Sequence, residues 1–227
     1  MRTKIFIDFD GTLFDTERMK NDLNQPLIDA GMSPELVQEE YEIWKKAKGH
    51  PDPEAMLESL IIKYPDFNFN GAMKKTREVV EGAKKYLFED VTSFLEKIDR
   101  KRFEPILFTL GFEHWQSQKI EKCNISHYFA DVLYPIGDKV DSLRELVGIG
   151  ERFIVLDDSQ EFIDAVTAEF SERAEIVQMN RYPVPKEDQE GSEEETKPLK
   201  EIKQITSLSE FKDFSLPEHT DYSMAIQ

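Results

Sequence analysis

Two aspartates, Asp8 and Asp10, stand two positions apart directly after the apolar run at residues 5–7. Such a run is typical of a strand buried on both faces, so we expect the acids at its carboxyl end, where open α/β sheets bind ligands. Because side chains alternate along a strand, the two carboxylates share one side, and like charges that close require a counter-charge. Carboxylate oxygens suit Mg²⁺, so the spacing indicates a metal site. For either acid alone, a solvated turn is the alternative.

Further polar residues stand where three later apolar runs end. They are Thr109 after residues 105–108, Lys139 at the helix start beyond residues 129–134, and the pair Asp157 and Asp158 after residues 153–156. A lysine beside clustered carboxylates and a bound anion would reduce their mutual repulsion. Each residue alone has an ordinary alternative, namely a strand end, a solvated lysine or a helix N-cap.

The string from Asp8 to Thr12 reads Asp-Phe-Asp-Gly-Thr and resembles the first motif of the haloacid-dehalogenase-like hydrolase superfamily, Asp-x-Asp-Gly-Thr. The apolar lead-in and the continuation Leu-Phe-Asp-Thr are typical of its capped members. The resemblance implies an aspartate-nucleophile phosphatase in which Asp8 attacks phosphorus and Asp10 acts as general acid and then as general base. It also implies Mg²⁺ as the cofactor, held by Asp8, the backbone carbonyl of Asp10 and Asp158.

The three further motifs of this superfamily have counterparts here in the required order. Thr109 stands where the second motif has a hydroxyl that binds the phosphoryl group, and Lys139 stands where the third has its cation. Asp157 and Asp158 form the fourth motif, and Asp157 is an alternative metal ligand. Because neighbouring strand side chains point to opposite faces, we expect Asp158 to bind the metal and Asp157 to contact Lys139 or another supporting group. The resemblance also assigns substrate contacts to Gly11, Thr12, Leu110 and Gly111, although many capped members have Asn at the position of Leu110.

The segment at residues 17–87 has a helical pattern. Ser-Pro at residues 33–34 and Asp-Pro at residues 52–53 are typical helix starts, and apolar residues recur at helical spacing behind them. The segment predicts three or four amphipathic helices, the shortest near residues 19–30, and no strand. In type and position it resembles the small α-helical cap that many superfamily phosphatases insert after the first motif. Such caps close over the active site and select the substrate.

Alternating strand and helix patterns return from residue 88 onward and predict a doubly wound parallel α/β sheet. The Rossmann-like core would comprise residues 1–16 and 88–227, with the cap at residues 17–87. Residues 186–199 are polar and acidic and predict an exposed loop. Residues 202–205 predict a short outer strand.

Composition limits the classes of partner. The formal charge of −17 argues against nucleic acid or an anionic membrane, but not against a small phosphorylated metabolite, because a metal ion can invert the local field. A single cysteine, Cys123, fits a reducing compartment. No apolar run approaches the ~18 residues of a membrane span, and a strand at the start leaves no room for a signal peptide. We therefore expect a cytoplasmic protein, while the sequence does not indicate an oligomeric state.

Hydrolysis of a small phosphate monoester is the predicted reaction. A phosphotransferase or phosphomutase would share every core residue, and a non-catalytic phosphate-binding protein would typically have lost Asp8 or Asp10. Dehalogenases of the superfamily usually lack the second aspartate, which disfavours that chemistry. A receiver domain also gathers acids, a threonine and a lysine on a parallel sheet, but it lacks the Asp-Gly-Thr string and the large insertion.

Overall fold

Six strands form one sheet in the computed structural model, which describes residues 2–48, 52–170, 172–182 and 202–211. All neighbouring pairs are parallel, which confirms the predicted α/β fold. The strands are β1 (Thr3–Ile7), β2 (Phe103–Phe108), β3 (Asp131–Leu133), β4 (Phe153–Asp157), β5 (Ala174–Met179) and β6 (Lys203–Ile205). Their order across the sheet is β3-β2-β1-β4-β5-β6, so β1 is central, with β2 and β4 as its neighbours.

Helices account for most of the remaining described chain. The α-helices are α1 (Thr16–Asp29), α2 (Pro34–Lys48), α3 (Pro53–Lys63), α4 (Ala72–Glu81), α5 (Val91–Lys97), α6 (Glu113–Cys123), α7 (Lys139–Leu146) and α8 (Gln160–Phe170). None of the described helices has the length and apolar character that crossing a bilayer requires. Cys123, at the end of α6, is buried as a free thiol.

Strand β1 is buried on both faces, as its apolar run predicted. The Phe6 ring packs against the rings of Phe108 and Phe153 at centroid distances of 5.4 and 5.9 Å. Ile5 and Ile7 alternate with Phe6 and belong to a separate apolar cluster on the other face. Since apolar side chains cover both faces, the polar side chains of the central strands lie at the strand ends.

Helices α1 to α4 pack around a small apolar cluster of their own. Its buried members are Leu27, Met32, Val37, Met56, Leu57, Leu60 and Ala72. The predicted start of α3 is confirmed, because the Asp52 carboxylate accepts the backbone N–H groups of Glu54 and Ala55 at 2.9 and 3.2 Å. Helix α1 is longer than the segment near residues 19–30 predicted, since Asp15 caps it by accepting the N–H of Arg18 at 3.0 Å.

The two chain segments that join these helices to the sheet pair with each other. The N–H of Asp15 donates to the carbonyl of Tyr86 at 2.7 Å, and the N–H of Phe88 donates to the carbonyl of Leu13 at 3.1 Å. The helical insertion therefore leaves and rejoins the core at one point. Its division from the core at residues 17–87 remains a prediction.

One sequence prediction differs in extent from what the structure describes, and another is not tested by it. Strand β3 covers only the middle of the apolar run at residues 129–134, and as an edge strand it pairs with β2 alone. Edge strands are commonly short, because one of their sides has no neighbouring strand. The predicted acidic loop at residues 186–199 lies outside the described residues.

Arg181, beyond the end of β5, forms hydrogen bonds that connect the loop after β1 with the residue before α5. Its guanidinium donates to both carboxylate oxygens of Asp90 at 2.7 and 2.9 Å and to the backbone carbonyl of Thr12 at 3.0 Å. The same carboxylate accepts the Ser207 hydroxyl at 2.6 Å and the Leu208 N–H at 2.8 Å. Asp90 therefore connects the loop after β1 with the segment that follows β6.

The substitution Asp90→Ala should lower the free energy of unfolding by about 3 kcal/mol, because it leaves a buried guanidinium without its carboxylate. The Arg181 side chain is only 5% exposed. Glu104→Ala is the matched control, since it removes the partner of Arg2 from an exposed pair and should cost under about 1 kcal/mol. Urea unfolding of both variants measures the difference, and equal small losses would contradict the role given to Asp90.

Candidate active site

Three carboxylates meet where β1 and β4 end. Asp8 follows β1, Asp157 is the last residue of β4, and Asp158 comes next. The two strands are neighbours, and the N–H of Asp8 donates to the carbonyl of Leu156 at 2.9 Å. Carboxylate oxygens of the three aspartates lie within 4.8 Å of one another. The structure thus brings together acids that stand about 150 positions apart in the sequence.

Lys139 joins two of these acids. It is the first residue of α7, where the Asp138 carboxylate caps the helix by accepting the N–H of Val140 at 2.6 Å. The Lys139 ammonium donates to Asp8 Oδ1 at 2.7 Å and to Asp157 Oδ2 at 2.6 Å. Burial of this lysine opposes its charge, but the two carboxylates outweigh that effect and hold its pKa above the usual range.

The cluster has more negative than positive charge. Burial is the largest cause that raises the pKa of Asp8, and the charges of Asp157 and Asp158 add to it, so the pKa lies well above its usual value despite Lys139. Burial and the charge of Asp157 likewise raise the pKa of Asp158 to about 6. One buried lysine is therefore not enough to balance three acids.

This donor set fits a divalent cation with oxygen ligands. Both oxygens of Asp157 already accept hydrogen bonds, from Lys139 and from the N–H of Ser159 at 2.9 Å. Asp158 accepts no side-chain hydrogen bond from the described residues and faces solvent at the rim of the cluster. Asp158 and the second oxygen of Asp8 thus accept no hydrogen bond from the described side chains, while Asp157 contacts Lys139. Metal binding by Asp8 and Asp158 remains a prediction. Such a cation would offset the excess negative charge that raises the pKa of Asp8.

Gly11 allows Asp158 to approach the loop after β1. Its φ of +76° favours glycine, and a Cβ there would lie 2.2 Å from Asp158 Oδ2. The close approach of Asp158 therefore explains why residue 11 is a glycine. The contact of Gly11 with substrate stays a prediction.

Asp10 has a hydrogen-bond network of its own. The Lys119 ammonium donates to both of its oxygens at 2.5 and 2.8 Å, Gln116 donates to Oδ2 at 2.7 Å, and the Thr16 hydroxyl donates to Oδ1 at 2.8 Å. Burial alone would raise the pKa of Asp10, but Lys119 and the hydrogen bonds outweigh it and lower the pKa. Asp10 is thus held as a carboxylate, apart from the cluster around Lys139.

Lys119 and Gln116 were not among the residues that the sequence motifs indicated, and Thr16 entered only as the end of the Leu-Phe-Asp-Thr continuation, without a role. Lys119 and Gln116 lie three positions apart in α6, so they share one face of the helix. Helix α6 follows β2, the neighbour of β1, and this places that face beside Asp10. Their spacing and their position after a predicted strand were the available signals. An isolated lysine on a helix is usually solvated, whereas the Lys119 side chain is 4% exposed.

The remaining predicted site residues lie after β1 and β2. Thr109 is buried, with its N–H donating to the carbonyl of Leu133 at 3.1 Å. Leu110 has an exposed side chain, and its carbonyl accepts Gln116 Nε2 at 2.6 Å. Gly111 has a φ of +132°, and a Cβ there would lie 2.7 Å from Gln116 Nε2. Thr12 is fully buried, and its hydroxyl has no hydrogen-bond partner among the described residues. Their contacts with substrate remain predictions.

The structure thus combines a parallel α/β sheet, four helices inserted after its first strand, and aspartates and a lysine gathered at its strand ends. The family model described as haloacid dehalogenase-like hydrolase matches residues 5–140, and the chain belongs to that family.

Solved structures share this fold. A haloacid dehalogenase-like hydrolase from Burkholderia xenovorans LB400 matches with a TM-score of 0.67 and 15% identity over 93% of this chain and 95% of that one. The HAD-hydrolase YfnB from Bacillus subtilis, bound to magnesium, matches at 0.57 and 14% over 92% and 96%. The L-2-haloacid dehalogenase from Xanthobacter autotrophicus matches at 0.57 and 11% over 93% and 97%. The curated proteins contain no sequence match to this chain.

The substitution Lys119→Met should lower the free energy of unfolding at neutral pH by about 3 kcal/mol, because Asp10 keeps its burial but loses its cation. Methionine retains most of the apolar stem. Lys122→Met on the same helix is the control, since Lys122 pairs with Glu81 at the surface and should cost under about 1 kcal/mol. Urea unfolding compares the two variants. If both lose the same small amount, the Lys119 contact does not carry the stability assigned to it.

Proposed function

We propose that this protein hydrolyses a phosphate monoester of a small metabolite, with Mg²⁺ as cofactor and with an aspartyl phosphate formed on Asp8. The observation that carries the proposal is the separation of Asp8 and Asp10. Asp8 lies among the acids around Lys139, whereas Asp10, two residues on, has its own lysine, Lys119. Two neighbouring carboxylates in different environments suit two different roles.

Asp8 is the nucleophile. Lys139 donates to its Oδ1 and so fixes the direction of the carboxylate, while Oδ2 accepts no hydrogen bond from any described side chain. Attack by an Asp8 oxygen on phosphorus forms the aspartyl phosphate as the bond from phosphorus to the ester oxygen breaks. Water then attacks the phosphorus, phosphate leaves, and the Asp8 carboxylate is restored. The covalent intermediate divides one difficult displacement into two.

Asp10 moves the protons of both steps. It protonates the leaving oxygen in the first step and takes a proton from water in the second. Its contact with Lys119 favours the ionised form, which is the form needed for the second step. For the first step its carboxylate has to leave Lys119, after which burial raises its pKa and favours the acid.

Asp8, Asp158 and the backbone carbonyl of Asp10 would hold the cation. When bound, Mg²⁺ offsets the repulsion between carboxylate and phosphate and stabilises the charge of the transition state. The acids that cluster without enough positive charge support this assignment, as does the magnesium in the B. subtilis relative. Thr109 and Lys139 would bind phosphoryl oxygens.

A phosphotransferase or phosphomutase would use the same residues on a second alcohol in place of water. Product analysis with and without an added acceptor alcohol separates that reaction from hydrolysis. A non-catalytic phosphate-binding protein would need neither Asp8 nor Asp10, and both are present. Release of chloride from haloacids, measured in the same panel, tests for dehalogenation.

The substitution Asp8→Asn should reduce turnover of phosphate monoesters by at least about a thousandfold, because the amide is a poor nucleophile. Asp131→Asn, an exposed acid at the start of β3, is the control and should keep full activity. Both proteins are purified identically and assayed for phosphate release. Comparable turnover by Asp8→Asn and the control would overturn the proposed mechanism.

Chelation with EDTA should abolish activity and added Mg²⁺ should restore it. Ca²⁺ should not, because its larger and looser coordination fits in-line attack poorly. Asp158→Asn should raise the Mg²⁺ concentration for half-maximal rate by at least about tenfold. Asp164→Asn, an exposed acid on α8, should leave that concentration unchanged. Full activity after chelation would rule out the metal requirement.

A further inference from the structure

A cavity of about 140 Å³ lies between the inserted helices and α6. Helices α1 to α4 each contribute to its wall, and α6 closes the opposite side. Much of this wall is apolar: the side chains include Met19, Leu23, Leu27, Met56, Leu57 and Trp115. A cavity of roughly 150 Å³ with apolar walls holds a benzene-sized group, so the volume suits a compact organic group.

The acid at the polar end of the cavity is already paired. Asp10, Thr16 and Lys119 line this end and are bonded to one another. Among the described residues that line the cavity, Asp10 is the only acid, and Lys119 neutralises it. Polar side chains elsewhere in the wall are those of Lys20, Asn24, Tyr41 and Thr76. The wall is therefore mainly apolar with a few polar groups, and without a free acid it offers little to a cationic group.

Gln116 also lines this end but offers no free group to a ligand. Its Nε2 donates to both Asp10 Oδ2 and the carbonyl of Leu110, so the orientation of the amide is fixed by two acceptors. Its Oε1 has no partner within the described chain, but the atom is enclosed by protein and does not face the cavity.

We propose that the substrate is the phosphate monoester of a compact, largely apolar alcohol, aromatic or branched. The inference rests on the proposed function. Asp10 belongs both to the cavity wall and to the loop that carries Asp8. A leaving oxygen that Asp10 protonates must lie next to it, so the organic part of the ester extends from phosphorus into the cavity. The apolar wall then binds this part.

The first test compares phosphate esters on the wild-type protein with Mg²⁺. Benzyl phosphate should have a kcat/KM at least tenfold above those of glycerol 3-phosphate and glucose 6-phosphate. Equal or better turnover of the polar esters would overturn the apolar occupant.

A cavity-filling variant localises the effect. Leu23→Trp adds volume to the wall from α1, and the ratio of kcat/KM for benzyl phosphate to that for acetyl phosphate should fall at least tenfold. Leu36→Trp, also partly buried in the inserted helices but outside the cavity wall, is the matched control and should leave this ratio unchanged. An unchanged ratio in Leu23→Trp, with acetyl phosphate still hydrolysed, would overturn the inference and leave the phosphatase proposal intact.

Binding keeps the inference testable without turnover. If neither the phosphate esters nor acetyl phosphate, an acyl phosphate, is hydrolysed, the proposed function fails. Calorimetry with benzylphosphonate and 2,3-dihydroxypropylphosphonate then tests whether the cavity prefers an apolar group, independently of catalysis. Benzylphosphonate should bind at least tenfold more tightly, and Leu23→Trp but not Leu36→Trp should remove this advantage. Equal affinities would overturn the inference.

Discussion

One buried ammonium group, that of Lys139, holds the polar edge of the sheet together. It contacts Asp8 at the end of β1 and Asp157 at the end of β4, which are adjacent parallel strands. Taking each of these charges out of water costs several kcal/mol, and only their mutual contact offsets that cost. The geometry of both strand ends and of the start of α7 is therefore fixed by one set of charges. Asp158 remains outside this balance, at the rim, in an arrangement that a divalent cation would complete.

A second lysine gives the two aspartates after β1 different electrostatic environments. Asp8 and Asp10 are close in sequence, yet different helices supply their cations: α7 supplies Lys139 and α6 supplies Lys119. The same burial therefore has opposite outcomes, since the pKa of Asp8 is raised while that of Asp10 is lowered. The two helices follow the neighbouring strands β2 and β3, so the sheet order, more than the local string, determines which acid receives which partner.

Local patterns predicted the parallel sheet and most of the helices, although not the full extent of α1 and β3. The motif residues Asp8, Lys139, Asp157 and Asp158 do lie together, while their roles stay predictions. Apolar runs locate strands because both sheet faces are covered, and Asp52 marks a helix start because its carboxylate caps free N–H groups. Lys119 and Gln116 could not be found in this way. Their role depends on β1 and β2 being neighbours, and a lysine in a polar helix looks solvated until its partner is known. The cavity could not be predicted from local patterns either, because it forms between helices that are far apart in sequence. Leu23 and Trp115, for example, line the same cavity.

The Arg181 contact has a consequence for how the loop after β1 becomes ordered during folding. Arg181 holds the carbonyl of Thr12 across a sequence separation of 169 residues, and Lys139 reaches Asp8 across 131. Closing such long loops is slow, because their entropy is lost before the contacts form. The loop after β1 therefore depends on contacts that form only once distant segments have folded onto the sheet.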